Sequence, residues 1–131
     1  MKALFKCTAL LLVLAILAGC SRSTALQDST RKALIAKQAC EQLYISIRIA
    51  WYQGRVTEEE IALARTLIEK YFVAQSAWQA ELAQAQAEGD ASLSSPGRRQ
   101  RVNEAASTVA DCIAGLTKIW IAIRERGEDN D

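Results

Sequence analysis

The chain has 131 residues, with 16 lysines and arginines against 15 aspartates and glutamates, no histidine, one proline and four cysteines. That length holds one domain at most, and half of it is apolar. Without histidine the chain lacks the commonest acid–base residue and the commonest metal ligand. A net charge near zero gives no long-range attraction for nucleic acid.

Residues 1–20 differ from everything after them. Lys2 and Lys6 make a short positive start, Leu10 to Leu17 form an uncharged apolar run, and Leu17-Ala18-Gly19-Cys20 closes it with small residues. The run is shorter than the roughly 20 residues of a transmembrane helix, so the segment reads as a signal peptide. Its ending, LAGC, resembles the lipobox of bacterial lipoproteins. That resemblance implies that residues 1–19 are removed. It also implies that Cys20 carries a diacylglycerol thioether and an acylated amine, with long chains such as palmitate. Each chain contributes about 0.8 kcal/mol per buried methylene, so several together hold the protein firmly to a membrane. Because Ser21 rather than Asp follows the cysteine, the sorting habit of such lipoproteins favours the outer membrane, facing the periplasm. The inner membrane stays open.

On this reading Cys7 leaves with the signal peptide and Cys20 is consumed by lipid. Cys40 and Cys112 remain, in an oxidising compartment where a disulfide is the natural expectation. Two cysteines without histidine are too few ligands for zinc, and no cofactor is expected.

Residues 20–30 comprise the lipidated cysteine and a small, polar stretch expected to be a flexible tether. From 31 to 127 the pattern is helical. Ala33, Ala36, Cys40, Leu43, Ile47 and Ala50 follow three-four spacing, and Gly54 suits the left-handed residue that ends a helix. Val56-Thr57-Glu58-Glu59-Glu60-Ile61 opens a second helix. Thr57 and Glu60 form a capping box, Val56 and Ile61 form a staple, and the acidic first turn suits the helix dipole. Its seam is Ile61, Ala64, Ile68, Tyr71, Gln75, Trp78, Leu82 and Ala85, running to about Glu88. Ser95 before Pro96 reads as an N-cap with proline at the first helical position. The third helix carries Val102, Ala105, Val109, Cys112, Leu116, Ile119 and Ile123, with a second edge at Ala106, Ile113 and Trp120. Residues 128–131 are an acidic tail. The expected fold is all-α: an up-down-up three-helix bundle behind a lipoprotein signal peptide. Ile45 to Ile49 and Ile119 to Ile123 alternate as strands would. Each lies inside a longer helical pattern without flanking turn residues, so helix is the reading taken.

In that topology the first and third helices run parallel, and Cys40 and Cys112 fall about two residues apart in level, roughly 3 Å. A disulfide between them would close a loop of about 72 residues, worth on the order of 4 kcal/mol in the chain-entropy model.

No nucleophile stands beside a base in the pattern, and no glycine-rich phosphate loop is present, so the protein is not read as an enzyme. Glu58, Glu59 and Glu60 point in different directions on a helix and are explained by capping rather than cation binding. Arg31, Lys32, Arg98, Arg99 and Arg101 are expected to gather at the tether end and meet anionic headgroups, each worth about 1 kcal/mol. At the opposite end Ile45, Ile49, Tyr52, Trp120 and Ile121 lie beyond or at the edge of the seams. They are the candidate surface for an envelope partner or a second copy, set against a wider core at that end.

Together these features point to a membrane-anchored, non-enzymatic interaction or scaffold protein of the Gram-negative envelope. The turn Tyr52-Gln53-Gly54-Arg55-Val56-Thr57 after a first helix, with the overall plan, is also similar to small uncharacterised helical lipoproteins of prophages. That resemblance implies a role in excluding other phages or in host lysis. Spanin-like lysis lipoproteins are commonly proline-rich, whereas only Pro96 is present here. A different alternative, a small-ligand-binding helical module, rests on Tyr71, Phe72 and Trp78.

Overall fold

At five of the six helix ends a capping side chain or a left-handed glycine receives the chain. The computed structural model describes residues 23–129; the signal segment and Cys20 lie outside them. Three helices follow in order: α1 (Ala25–Tyr52), α2 (Glu58–Glu88) and α3 (Arg98–Glu128). Each packs on both of the others in an up-down-up bundle, and no strand occurs among the described residues. The alternating isoleucines of α1 and α3 are helical.

The start of α1 departs from the expected tether. Thr24 caps it: the Gln27 amide donates to Thr24 Oγ1, and the Thr24 amide donates to Gln27 Oε1. Ser23 donates to Asp28, and the Leu26 amide donates to the Ala91 carbonyl in the α2–α3 loop. Residues 25–30 are therefore the first turns of α1, held to the bundle, and not a flexible linker.

At the other end of α1, Gly54 takes φ 71°. Its amide donates to Trp51 and that of Arg55 donates to Ala50, the paired bonds of a Schellman motif. The α2 capping box forms as expected, with Thr57 and Glu60 bonded reciprocally and Val56 and Ile61 both buried.

The beginning of α3 differs. Gly97, not Ser95, precedes the first helical residue, with φ 72° and ψ −11° and no side-chain cap. The Arg98 amide donates to the Ser95 carbonyl, so Pro96 and Gly97 occupy the central positions of a type II turn. Ser95 serves the turn instead, its carbonyl accepting the Arg98 amide and its own amide donating to the Asp90 carboxylate.

The core follows the three seams. All eight expected positions of α2 are buried, joined by Ala74. Cys40 and Ile47 of α1 and Val109, Leu116 and Ile123 of α3 are almost fully enclosed, while Ala36, Leu43, Ala105, Ala106, Ile113 and Trp120 pack partly against them. Trp78 donates its indole N–H to Ser29 Oγ at 2.9 Å, and Gln75 donates to the Ala33 carbonyl at 3.1 Å. These two bonds set the register of α1 against α2. Gly115 allows α3 to come close to α2, since a Cβ there would lie 2.8 Å from a methyl of Leu67. Leu93, at φ 54°, closes the lower end of the core. Its left-handed backbone costs roughly 1–2 kcal/mol, offset by burying a leucine side chain.

Candidate functional site

The two ends of the bundle differ in chemistry. The end that carries Thr24 and the α2–α3 loop is where a lipid tether on residue 20 would enter. Its basic residues do not form one patch. Arg98 is almost wholly buried, at 1% exposure. Its Nη1 donates to Asp90 at 2.8 Å, its Nη2 to Glu88 at 2.9 Å, and its Nε lies 3.5 Å from Glu81. Arg101 makes a two-pronged pair with the same Glu81. Arg98 is thus spent inside the protein, which corrects the expectation that it faces a membrane, whereas Arg101 stays about half exposed while paired to Glu81.

Asp90 organises the loop. Its carboxylate accepts the amides of Ser94 and Ser95, the Ser94 hydroxyl and the Arg98 guanidinium. The two backbone amides, then Arg98, hold its carboxyl far below the usual carboxylate range. The Arg101 hydrogen bond does the same for Glu81, to a smaller extent. The signal for this clamp was present in the sequence. Glu88 sits at the negative end of α2 and three arginines at the positive end of α3, so each opposes its own helix dipole. Pairing them across the loop removes both conflicts.

Of the remaining cations, Arg31, Lys32 and Arg99 are exposed. Lys32 and Arg99 line one groove of about 310 Å³ between α1 and α3, together with Asp28. Arg99 also donates to the Ser92 carbonyl.

At the far end Ile45, Ile49 and Tyr52 are 51%, 53% and 76% exposed, and Ile121 is 49% exposed. Trp120 is different: it is half-buried against the core and belongs to the packing, not to the surface. The α1 residues lie on the side of the helix opposite Cys40 and Ile47. Leu34 is also more than half exposed on that side, but Gln38, Glu41 and Gln42 lie between it and Ile45. Hence the last two turns of α1 are apolar on two faces, and only one of them is covered. Arg48 lies beside the uncovered face, 3.4 Å from the Tyr52 hydroxyl and over the Tyr44 ring. Arg126 fixes this end internally by donating to both oxygens of Glu60 and to the Arg55 carbonyl.

Cys40 and Cys112 are buried thiols, and the expected bond between them is not formed in this structure. Burial, then the nearby Cys112 and Glu41, pushes the Cys40 thiol up to about 12. Burial likewise raises Cys112. Tyr71 lies in the same layer, and its hydroxyl has no hydrogen-bond partner there. Tyr71 and Trp78 are core, whereas Phe72 is about half exposed, so the three aromatics do not line a common space for a ligand.

Among the described residues no group of three or more His, Cys, Asp or Glu is arranged to hold a metal ion. By length and composition alone α3 could cross a membrane, but its apolar seam is the one packed in the bundle. No protein-family model, curated protein or solved structure matches the chain.

Proposed function

We propose that this protein is a lipid-anchored, non-enzymatic helical interaction module of the Gram-negative envelope, facing the periplasm, that engages an envelope protein or a second copy through α1. The lipobox-like LAGC supports the anchor. The observation that carries the interaction role is the uncovered patch of Ile45, Ile49 and Tyr52, with Ile121 exposed at the same end. Single exposed apolar residues are ordinary, but three large ones clustered on the last two turns of one helix form a surface that water covers at a cost. The bonds from Trp78 to Ser29 and from Gln75 to the Ala33 carbonyl hold α1 against α2, so the patch is presented on a packed element. Exclusion of other phages is one role such a module could serve, on the similarity to prophage lipoproteins.

Two measurements on the full-length chain in cells test the reading. Labelling with an alkyne analogue of palmitate should mark the wild type and not Cys20→Ala; equal labelling removes the anchor. A photoreactive residue in place of Ile49 should give one defined adduct, lost when Ile45→Lys is added. No adduct from position 49, in protein shown to be folded, removes the interaction role.

A further inference from the structure

Two contacts fix how high Cys40 stands in the bundle. Ser29 with Trp78, and Ala33 with Gln75, set α1 antiparallel to α2. Continuing that register places Cys40 level with residues 67 and 68 of α2. Leu67 is the residue against which Gly115 of α3 packs. Cys112 therefore lies within one turn of Cys40, roughly 4.5 Å along the axis at 1.5 Å per residue. Both belong to the same core cluster, at 0% and 2% exposure, on seams that face inward.

We propose that Cys40 and Cys112 form a disulfide that joins α1 to α3, and that it closes while the chain is folding rather than in the finished bundle. In the open chain one thiolate attacks a small disulfide oxidant, such as oxidised glutathione. A mixed disulfide forms and one glutathione thiol leaves. The second cysteine attacks the protein sulfur of that mixed disulfide, the interhelical S–S bond forms, and the second glutathione leaves. Two electrons pass to the oxidant, and the two protons end on the released thiols. In the folded bundle the same step lacks both access and thiolate. Burial holds Cys40 in its protonated form, and only the thiolate attacks. The bond is thus a staple set once, and not a switch.

The pairing is independent of the envelope reading, because the oxidant can be supplied in the tube. The full-length chain in detergent is reduced, unfolded, refolded with reduced and oxidised glutathione, alkylated and digested with trypsin without reduction. The expected product is the peptide of residues 38–48 linked to that of residues 102–118, disappearing on reduction, with Cys112→Ser abolishing it. Recovery of these peptides mainly alkylated, glutathionylated or joined to the peptide bearing Cys7 and Cys20 overturns the pairing. The same oxidant added to reduced protein that is already folded should give the link on the order of 10³-fold more slowly. Equal rates overturn the folding-time closure.

Discussion

At the scale of single residues, Arg98 is the side chain on which most depends. A guanidinium with about 1% exposure faces three carboxylates, and removing it leaves Asp90, Glu88 and Glu81 without their common partner. We predict that Arg98→Met lowers the melting temperature by about 10 °C or more. Arg98→Lys should recover only part of that loss, because one compact ammonium cannot reach the carboxylates that the three separate nitrogens of the guanidinium meet. Thermal unfolding followed by circular dichroism checks both. A second prediction concerns Cys40. In reduced, folded protein a maleimide should leave this thiol unlabelled for hours, and urea should expose it at once. Labelling at the rate of an exposed cysteine would contradict the enclosed position found here.

Among the elements, α2 was legible nearly in full and the two α-helix starts beside it were not. Its capping box, staple and seam are local and rest on side chains within one turn or on strict three-four spacing, and all appear as expected. The start of α1 has the same reciprocal box at Thr24 and Gln27, but it lies in a small, polar stretch whose composition suggests a tether. The start of α3 depends on Asp90, eight residues before Arg98, competing for the Ser94 and Ser95 amides. No periodicity reports a contact of that kind. Arg98 left the basic cluster for the same reason: it finds carboxylates on another element, which charge counting cannot see. The α2 cap gives a clean test, since Thr57 is exposed and packs little. Thr57→Ala should destabilise the fold by about 1 kcal/mol, and Thr57→Asp should not. Glu60→Gln should keep the backbone bond to Thr57 while losing charge on the Arg126 pair, so its effect should shrink in high salt.

For the molecule as a whole, the distribution of titratable groups shapes stability against pH. No histidine is present, so nothing in the side chains responds between about pH 5.5 and 8. On the acid side, Asp90, Glu81 and Glu60 are all held below their ordinary values by hydrogen bonds and ion pairs to serine amides and arginines. Groups depressed on folding stabilise the native state above their unfolded values and lose that contribution as pH falls toward the folded ones. Stability should therefore decline from about pH 4.5 downward. On the alkaline side the sign is reversed. The Cys40 thiol and Tyr71 hydroxyl are pushed up to about 12 by burial, so their contributions are complete at neutral pH. They fade as pH rises from the ordinary cysteine value toward the raised one. The two redox forms should then separate. Urea midpoints across pH should coincide in shape on the acid limb, whereas above about pH 9 the reduced protein should fall more steeply, because only it carries an ionisable Cys40. Parallel alkaline limbs in the two forms would mean that the thiol is not held protonated by the core.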